Sequence, residues 1–169
     1  MITNNQYTQM AIEALSDKLN DSIPEIRAKA AESLGKMGNS VPISALINRL
    51  LVEENQQVQL NLIQTLGEIG NDGAIPSLVN YLNVQDSLIR TATAKALGKI
   101  GSEKAISYLI NTLSDSEASV RAVAAQALGQ IGSEEAIPNL IQIFSDPDKM
   151  VRLQVADAIG RIGQRYAVA

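Results

Sequence analysis

The chain has 169 residues, 46% hydrophobic and 19% charged but only 3% aromatic, so Leu, Ile, Val and Ala must fill its core. A net charge of −4 and a pI near 4.8 argue against a phosphate-binding surface, which needs clustered Lys and Arg, so nucleic acid is not an expected partner. Cysteine and histidine are both absent, which removes disulfides, thiol nucleophiles, His-based triads and the usual zinc and haem ligands.

The opening MITNNQYTQM has neither the basic nor the apolar segment of a secretory leader. No run reaches the ~18 apolar residues of a membrane span, and Ile2 rules out N-myristoylation. A soluble, cytoplasmic protein with no membrane partner is expected. The first helix is predicted from about Asn5 to Leu19, with Ala11, Ile12, Leu15 and Leu19 at helical spacing. The same four positions return as Ala74, Ile75, Leu78 and Leu82, as Ala105, Ile106, Leu109 and Leu113, and as Ala136, Ile137, Leu140 and Phe144.

A second motif follows each of these segments. It reads IPEIRAKAAESLGKMG at Ile23–Gly38, QQVQLNLIQTLGEIG at Gln56–Gly70 and SLIRTATAKALGKIG at Ser87–Gly101. It returns as ASVRAVAAQALGQIG at Ala118–Gly132 and KMVRLQVADAIGRIG at Lys149–Gly163. Its first glycines, Gly35, Gly67, Gly98, Gly129 and Gly160, are spaced by 32, 31, 31 and 31 residues. A fixed period in this range predicts a stacked solenoid. The expected fold is all-α, a right-handed α-α superhelix of five helical hairpins and about ten helices. The hairpins fall at 7–38, 39–70, 71–101, 102–132 and 133–163 of one domain, 1–169, each with a shorter first helix and a second helix carrying the motif.

Expected caps are Ser22 with Glu25 as a capping box beside Pro24, then Asp86, Ser116 and Asp146 (followed by Pro147) for second helices. Asp72, Ser102 and Ser133 are expected to cap first helices, with Pro76 and Pro138 in the first turn. The second glycine of each pair, Gly38, Gly70, Gly101, Gly132 and Gly163, is expected to end its helix in the left-handed region. The first glycine sits inside the last turn at a cost of about 1 kcal/mol against Ala, which implies close approach of a neighbouring helix.

The segment from Val120 to Leu140, VR-x-x-A-A-x-A-LG-x-IG-x-x-x-A-I-x-x-L, resembles HEAT repeats, and more specifically the short HEAT-like repeats of the phycobilisome-lyase family. TPR and ankyrin signatures are missing. The second repeat departs from the pattern, with Gln59 where the others have Arg27, Arg90, Arg121 and Arg152. The resemblance implies a subunit of a bilin lyase, a factor in phycobilisome breakdown, or a plain protein-binding scaffold. Deoxyhypusine hydroxylase, a HEAT-like relative, binds iron through His-Glu motifs, and the lack of histidine excludes that activity.

The four arginines recur with acids about six residues earlier, such as Asp21, Asp115 and Asp146. They read as a structural Asp–Arg ladder between repeats, with an anion site as the alternative. In HEAT-like solenoids the free face of the second helix lines the concave groove. Relative to the arginine, that face takes the positions two before and two, five and nine after, with Ile89, Thr93, Ala96, Leu97 and Ile100 on the buried side. The five-after column is Glu32, Gln64, Lys95, Gln126 and Asp157, and the nine-after column is Lys36, Glu68, Lys99, Gln130 and Arg161.

The two inner columns are Glu25, Gln57, Leu88, Ser119 and Met150, and Lys29, Asn61, Ala92, Val123 and Gln154. Leu88, Ala92, Val123 and Met150 therefore predict an apolar patch flanked by Lys95, Lys99, Gln126 and Gln154: a partner surface, or core if the helix phase is shifted by one. Tyr81 and Tyr108 are placed on first helices toward the outer face or a seam, and the acid pairs Glu53/Glu54 and Glu134/Glu135 point apart. No catalytic constellation and no metal site emerges. The expected function is a non-enzymatic protein-binding or scaffold module without a cofactor. The alternative is a bilin lyase-type subunit or phycobilisome assembly or degradation factor, for which a bilin, a phycobiliprotein or a second HEAT-like subunit is the expected company. The short tail Gln164–Ala169 leaves the last repeat thinly capped, so a partner or second copy is expected over it.

Overall fold

The computed structural model describes residues 4–167; Val168 and Ala169 of the expected tail lie outside that range. Ten α-helices and no strand occur among the described residues. They pair as α1 (Asn4–Lys18) with α2 (Pro24–Lys36), α3 (Ile43–Val52) with α4 (Gln56–Ile69), and α5 (Ile75–Leu78) with α6 (Ser87–Ile100). The series continues with α7 (Ile106–Thr112) and α8 (Ala118–Ile131), then α9 (Ile137–Gln142) and α10 (Lys149–Tyr166). The second helices α2, α4, α6, α8 and α10 lie side by side in chain order, and each first helix packs on its own partner. The architecture is the all-α solenoid expected from the repeat.

The core is a pair of leucine columns. Leu46, Leu78, Leu109 and Leu140 of the first helices share one core with Leu34, Leu66, Leu97 and Leu128 of the second, all essentially inaccessible. Contrary to expectation α1, at 15 residues, is longer than the 13-residue α2. The first helices of the last four hairpins are shorter than their partners, as expected, and are entered through a 3-10 turn at Gly38–Ser40, Asp72–Ala74, Glu103–Ala105 and Glu134–Ala136. The third is shortest: α5 passes directly into a 3-10 stretch, Val79–Asn83. Helices of this length do not hold in isolation; burial of Ile75, Leu78 and Leu82 fixes this one. On α6 the buried side is Ile89, Thr93, Ala96 and Leu97, as the motif predicted, with Ile100 half-buried. Arg90 and Ala94 join it.

Close approach explains the first glycines. A Cβ on Gly98 would stand 2.7 Å from the Cβ and 2.8 Å from the Cα of Ala127 on the next helix. Gly67 against Ala96 and Gly129 against Ala158 repeat the contact, while a Cβ on Gly160 would meet nothing within 4 Å among the described residues. Gly38, Gly70, Gly101 and Gly132 adopt positive φ. Gly163 does not end its helix as expected. α10 runs on to Tyr166, and Arg165 Nη1 donates to the Ile131 carbonyl at 2.7 Å, tying the extension to the end of α8.

The capping expectations need correction at several ends. Asp86 does cap α6, accepting from the Leu88 and Ile89 amides, and Ser133 accepts from the Glu135 amide. Ser22 makes no capping box: Ile23 is the N-cap of α2, and its amide donates to Asp21 Oδ1. The cap of α10 is Asp148, two residues past Asp146, and the N-cap of α8 is Glu117, whose amide donates to Asp115. Asn71 takes the place assigned to Asp72, accepting from the Gly73 amide, and Ser102 donates to Asp72 instead of capping. At three of these ends the same acid position is used differently: Asp21, Asp115 and Asp146 accept the amide two residues on and also meet Lys18, Arg90 and Arg121.

Candidate binding groove

The arginine column is a set of clamps between repeats. Arg90 Nε and Nη2 grip Asp115 at 2.7 and 2.8 Å, and Arg121 grips Asp146 at 2.8 and 2.9 Å. In each case the carboxylate belongs to the following repeat, and Nη1 donates backward to two carbonyls, Val84 and Gln85 for Arg90. Fork-to-fork pairing of this kind fixes geometry as well as charge. Arg27 uses the same reach with a glutamate, Glu53, at 2.8 Å on both nitrogens.

Glu53 is the functional-looking residue that sequence reasoning passed over as half of an acid pair. It is 4% exposed and also accepts from Arg49 Nε and the Asn55 amide. Burial pushes its carboxyl up, but the bonds from Arg27, Asn55 and Arg49 outweigh burial and hold it at about 2. Its signal was positional: Glu53 stands six residues before Gln59, as Asp115 stands before Arg121. Arg152 departs from the pattern in the other direction. It donates to the Asp146 and Pro147 carbonyls, yet no carboxylate meets it among the described residues.

The predicted groove residues fall into two clefts between second helices. Leu88, Ala92, Lys95 and Lys99 line a cleft of about 380 Å³ between α4 and α6, opposite Gln57, Asn61 and Gln64. Val123, Gln126, Met150 and Gln154 line one of about 370 Å³ between α8 and α10. Leu88 is 61% and Met150 49% exposed, so neither is core. Ala92 and Val123 are half-buried and rest on the core, forming cleft floors.

The charge columns show what is particular to the third repeat. Along α2 and α10 the five-after and nine-after residues neutralise each other, Glu32 with Lys36 and Asp157 with Arg161, and on α4 Gln64 donates to Glu68. On α6 both positions are lysine. Lys99 reaches across to Glu68 at 3.4 Å, and Lys95 forms no ion pair among the described residues. The Glu68 carboxyl is held below its usual range by Gln64 and, against some burial, by Lys99. The cleft between α4 and α6 thus joins an exposed leucine, a row of amides and an uncompensated cation.

The tyrosines divide. Tyr81 lies on a seam, its hydroxyl donating to the Leu50 carbonyl at 2.8 Å, with burial raising its pKa. Tyr108 is exposed. No group of three or more acidic side chains able to hold a metal occurs among the described residues, and none of their helices is long and apolar enough to cross a membrane.

Comparison with known proteins agrees with this architecture. The sequence model of HEAT repeats matches residues 43–119 and 106–169. The chain is similar to the structure of the complex of CpcE and CpcF of phycocyanin lyase from Nostoc sp. PCC7120, with 27% identity and a TM-score of 0.78. That match covers 90% of this chain and 65% of the other, so this chain spans less than two thirds of its length. Human deoxyhypusine hydroxylase shares the fold at 20% identity and a TM-score of 0.65, over 92% of this chain and 75% of that one. A designed armadillo repeat protein in complex with the peptide (KR)4 does so at 18% and 0.66, over 94% and 86%. No curated protein sequence matches. With the hairpin stack, the glycine–alanine seams and the sequence match in agreement, the chain belongs to the HEAT-repeat family.

Proposed function

We propose that the protein is a non-catalytic binding scaffold, working without a cofactor, that holds a protein partner on the face formed by its second helices. The observation that carries this reading is the cleft between α4 and α6, where exposed Leu88 sits beside Lys95, which forms no ion pair among the described residues, and faces Gln57, Asn61 and Gln64. Apolar surface rimmed by polar groups favours a partner interface. The cleft suits a segment presenting an apolar side chain followed by a carboxylate, with the amides free to bond its backbone. The test compares Leu88→Glu and Lys95→Glu with the parent in pull-downs from the native source, followed by titration of the recovered partner. Each change is expected to weaken binding at least about tenfold, the scale of a hot-spot side chain, with helical CD unchanged. Equal binding by all three proteins would place the interface elsewhere.

A second reading rests on the similarity to the phycocyanin lyase complex. In it the chain serves bilin attachment or phycobilisome turnover, with a phycobiliprotein or a second repeat subunit as its company. Lys95 and Lys99 would then meet the carboxylates of a bilin substrate. Co-expression with an apo-phycobiliprotein and a bilin supply tests it: a covalent, red-shifted adduct supports a lyase role, and retained partner binding without an adduct removes it.

A further inference from the structure

Three of the four seams between repeats share one composition, and the two outer faces of the solenoid carry complementary halves of it. Each regular seam takes an arginine from the earlier repeat and a carboxylate from the later one, as Arg90–Asp115 and Arg121–Asp146 show. It also takes a glycine from the earlier repeat and a small residue from the later, as Gly98–Ala127 and Gly129–Ala158 show.

On the α9–α10 face, Arg152 is exposed and meets no carboxylate among the described residues, and a Cβ on Gly160 would find nothing within 4 Å there. Phe144 is 46% exposed, whereas Leu50, Leu82 and Leu113 at the same repeat position are at most 5% exposed. On the α1–α2 face, Asp21 holds the register of Asp115 and Asp146, and its Oδ1 already takes the amide two residues on, as theirs do. Ser33 holds the register of Ala127, and Ile26, at 38% exposure, that of the buried Val58, Ile89, Val120 and Val151.

We propose that the α9–α10 face docks the α1–α2 face of a second copy, placing Arg152 on Asp21 and Gly160 against Ser33. Charge complementarity and continuity with the internal seams select this occupant. Lys18, which pairs with Asp21 at 3.1 Å, stands as Arg49 does beside Glu53, so the new rung repeats the Arg27–Glu53–Arg49 arrangement. Nearby, Arg161 pairs with Asp157 and Lys36 with Glu32. Because the contact is heterologous, it leaves a free face at each end and builds open chains in place of a closed dimer.

The test is sedimentation equilibrium of the full chain over rising concentration. The weight-average mass is expected to climb from the 18.1 kDa monomer without stopping at two copies. Asp21→Arg and Arg152→Asp should each stay at the monomer mass, and mixing the two should restore association, since Arg152 of the first variant meets Asp21 of the second. Arg152→Gln, which can keep the backbone clamp in the manner of Gln59, should also weaken association, and guards against a folding defect; CD and thermal melting accompany every variant. A parent that is monomeric at all concentrations, variants that associate as the parent does, or folded variants that remain monomeric on mixing would each overturn the proposal.

Discussion

Gly98 and Gly160 occupy the same place in the same motif, and the structure gives them opposite roles. At Gly98 an added methyl would press on the backbone of Ala127, which cannot step aside without opening the α6–α8 seam. Gly98→Ala is therefore expected to destabilise by about 1–3 kcal/mol, the range of overpacking a tight core. At Gly160 there is open space, so in dilute solution Gly160→Ala should gain up to about 1 kcal/mol of helix propensity. Urea unfolding of the two variants at low concentration checks the contrast. Losses of equal size would show that the glycines serve chain flexibility and not helix approach. Five recurring glycines made close packing legible in the sequence. Which of them has a neighbour was not, because that depends on what lies across the seam.

At the scale of the element, the ladder was legible but its pairing was ambiguous. With a period near 31, an acid six residues before one arginine is also 25 residues after the previous one. Periodicity alone cannot say which arginine it serves, and only the observed reach of Arg90 and Arg121 resolves it. The same register explains why the second repeat is irregular. Gln59 replaces the arginine, and the position 25 residues on is Val84, which is half-buried against the core. Both halves of that rung are missing together; Gln59 keeps only the backward bond, to the Glu53 carbonyl at 2.6 Å.

Restoring the rung between α4 and α6 is therefore a paired operation. Val84→Asp alone should cost about 1–3 kcal/mol, since it buries an unpartnered carboxylate, and Gln59→Arg alone should change little. The double variant is expected to recover most of the loss, with a coupling energy of about 1–3 kcal/mol in a double-mutant cycle. Additive effects would mean that the α4–α6 seam is not built to the geometry of its neighbours. The groove was legible to a similar depth. Helical phase put Leu88 and Met150 on the free face, where they are found. The division into two clefts was not legible, because it depends on how far apart adjacent second helices stand.

Across the whole molecule the rungs make stability a function of pH. Glu53 is held at about 2 in the folded chain against an ordinary value of 4.5, and Asp115 and Asp146 are also held below their usual range, chiefly by Arg90 and Arg121. A carboxyl whose folded pKa is lowered contributes stability that is complete above its unfolded pKa and is lost as pH falls toward the folded one. The protein should therefore be insensitive to pH from neutrality down to about 5 and weaken steeply between about 4.5 and 2. For Glu53 alone the displacement corresponds to roughly 3 kcal/mol, comparable to the cost of breaking a buried ion pair. Glu53→Gln should thus be less stable than the parent by about that amount at pH 7, and the gap should close as the pH approaches 2, where the parent's own carboxyl is half protonated. Denaturant unfolding of both proteins at pH 7, 4 and 3 measures it. A gap that stayed constant across those pH values would assign the loss at Glu53→Gln to packing and leave the acid lability to the exposed carboxylates.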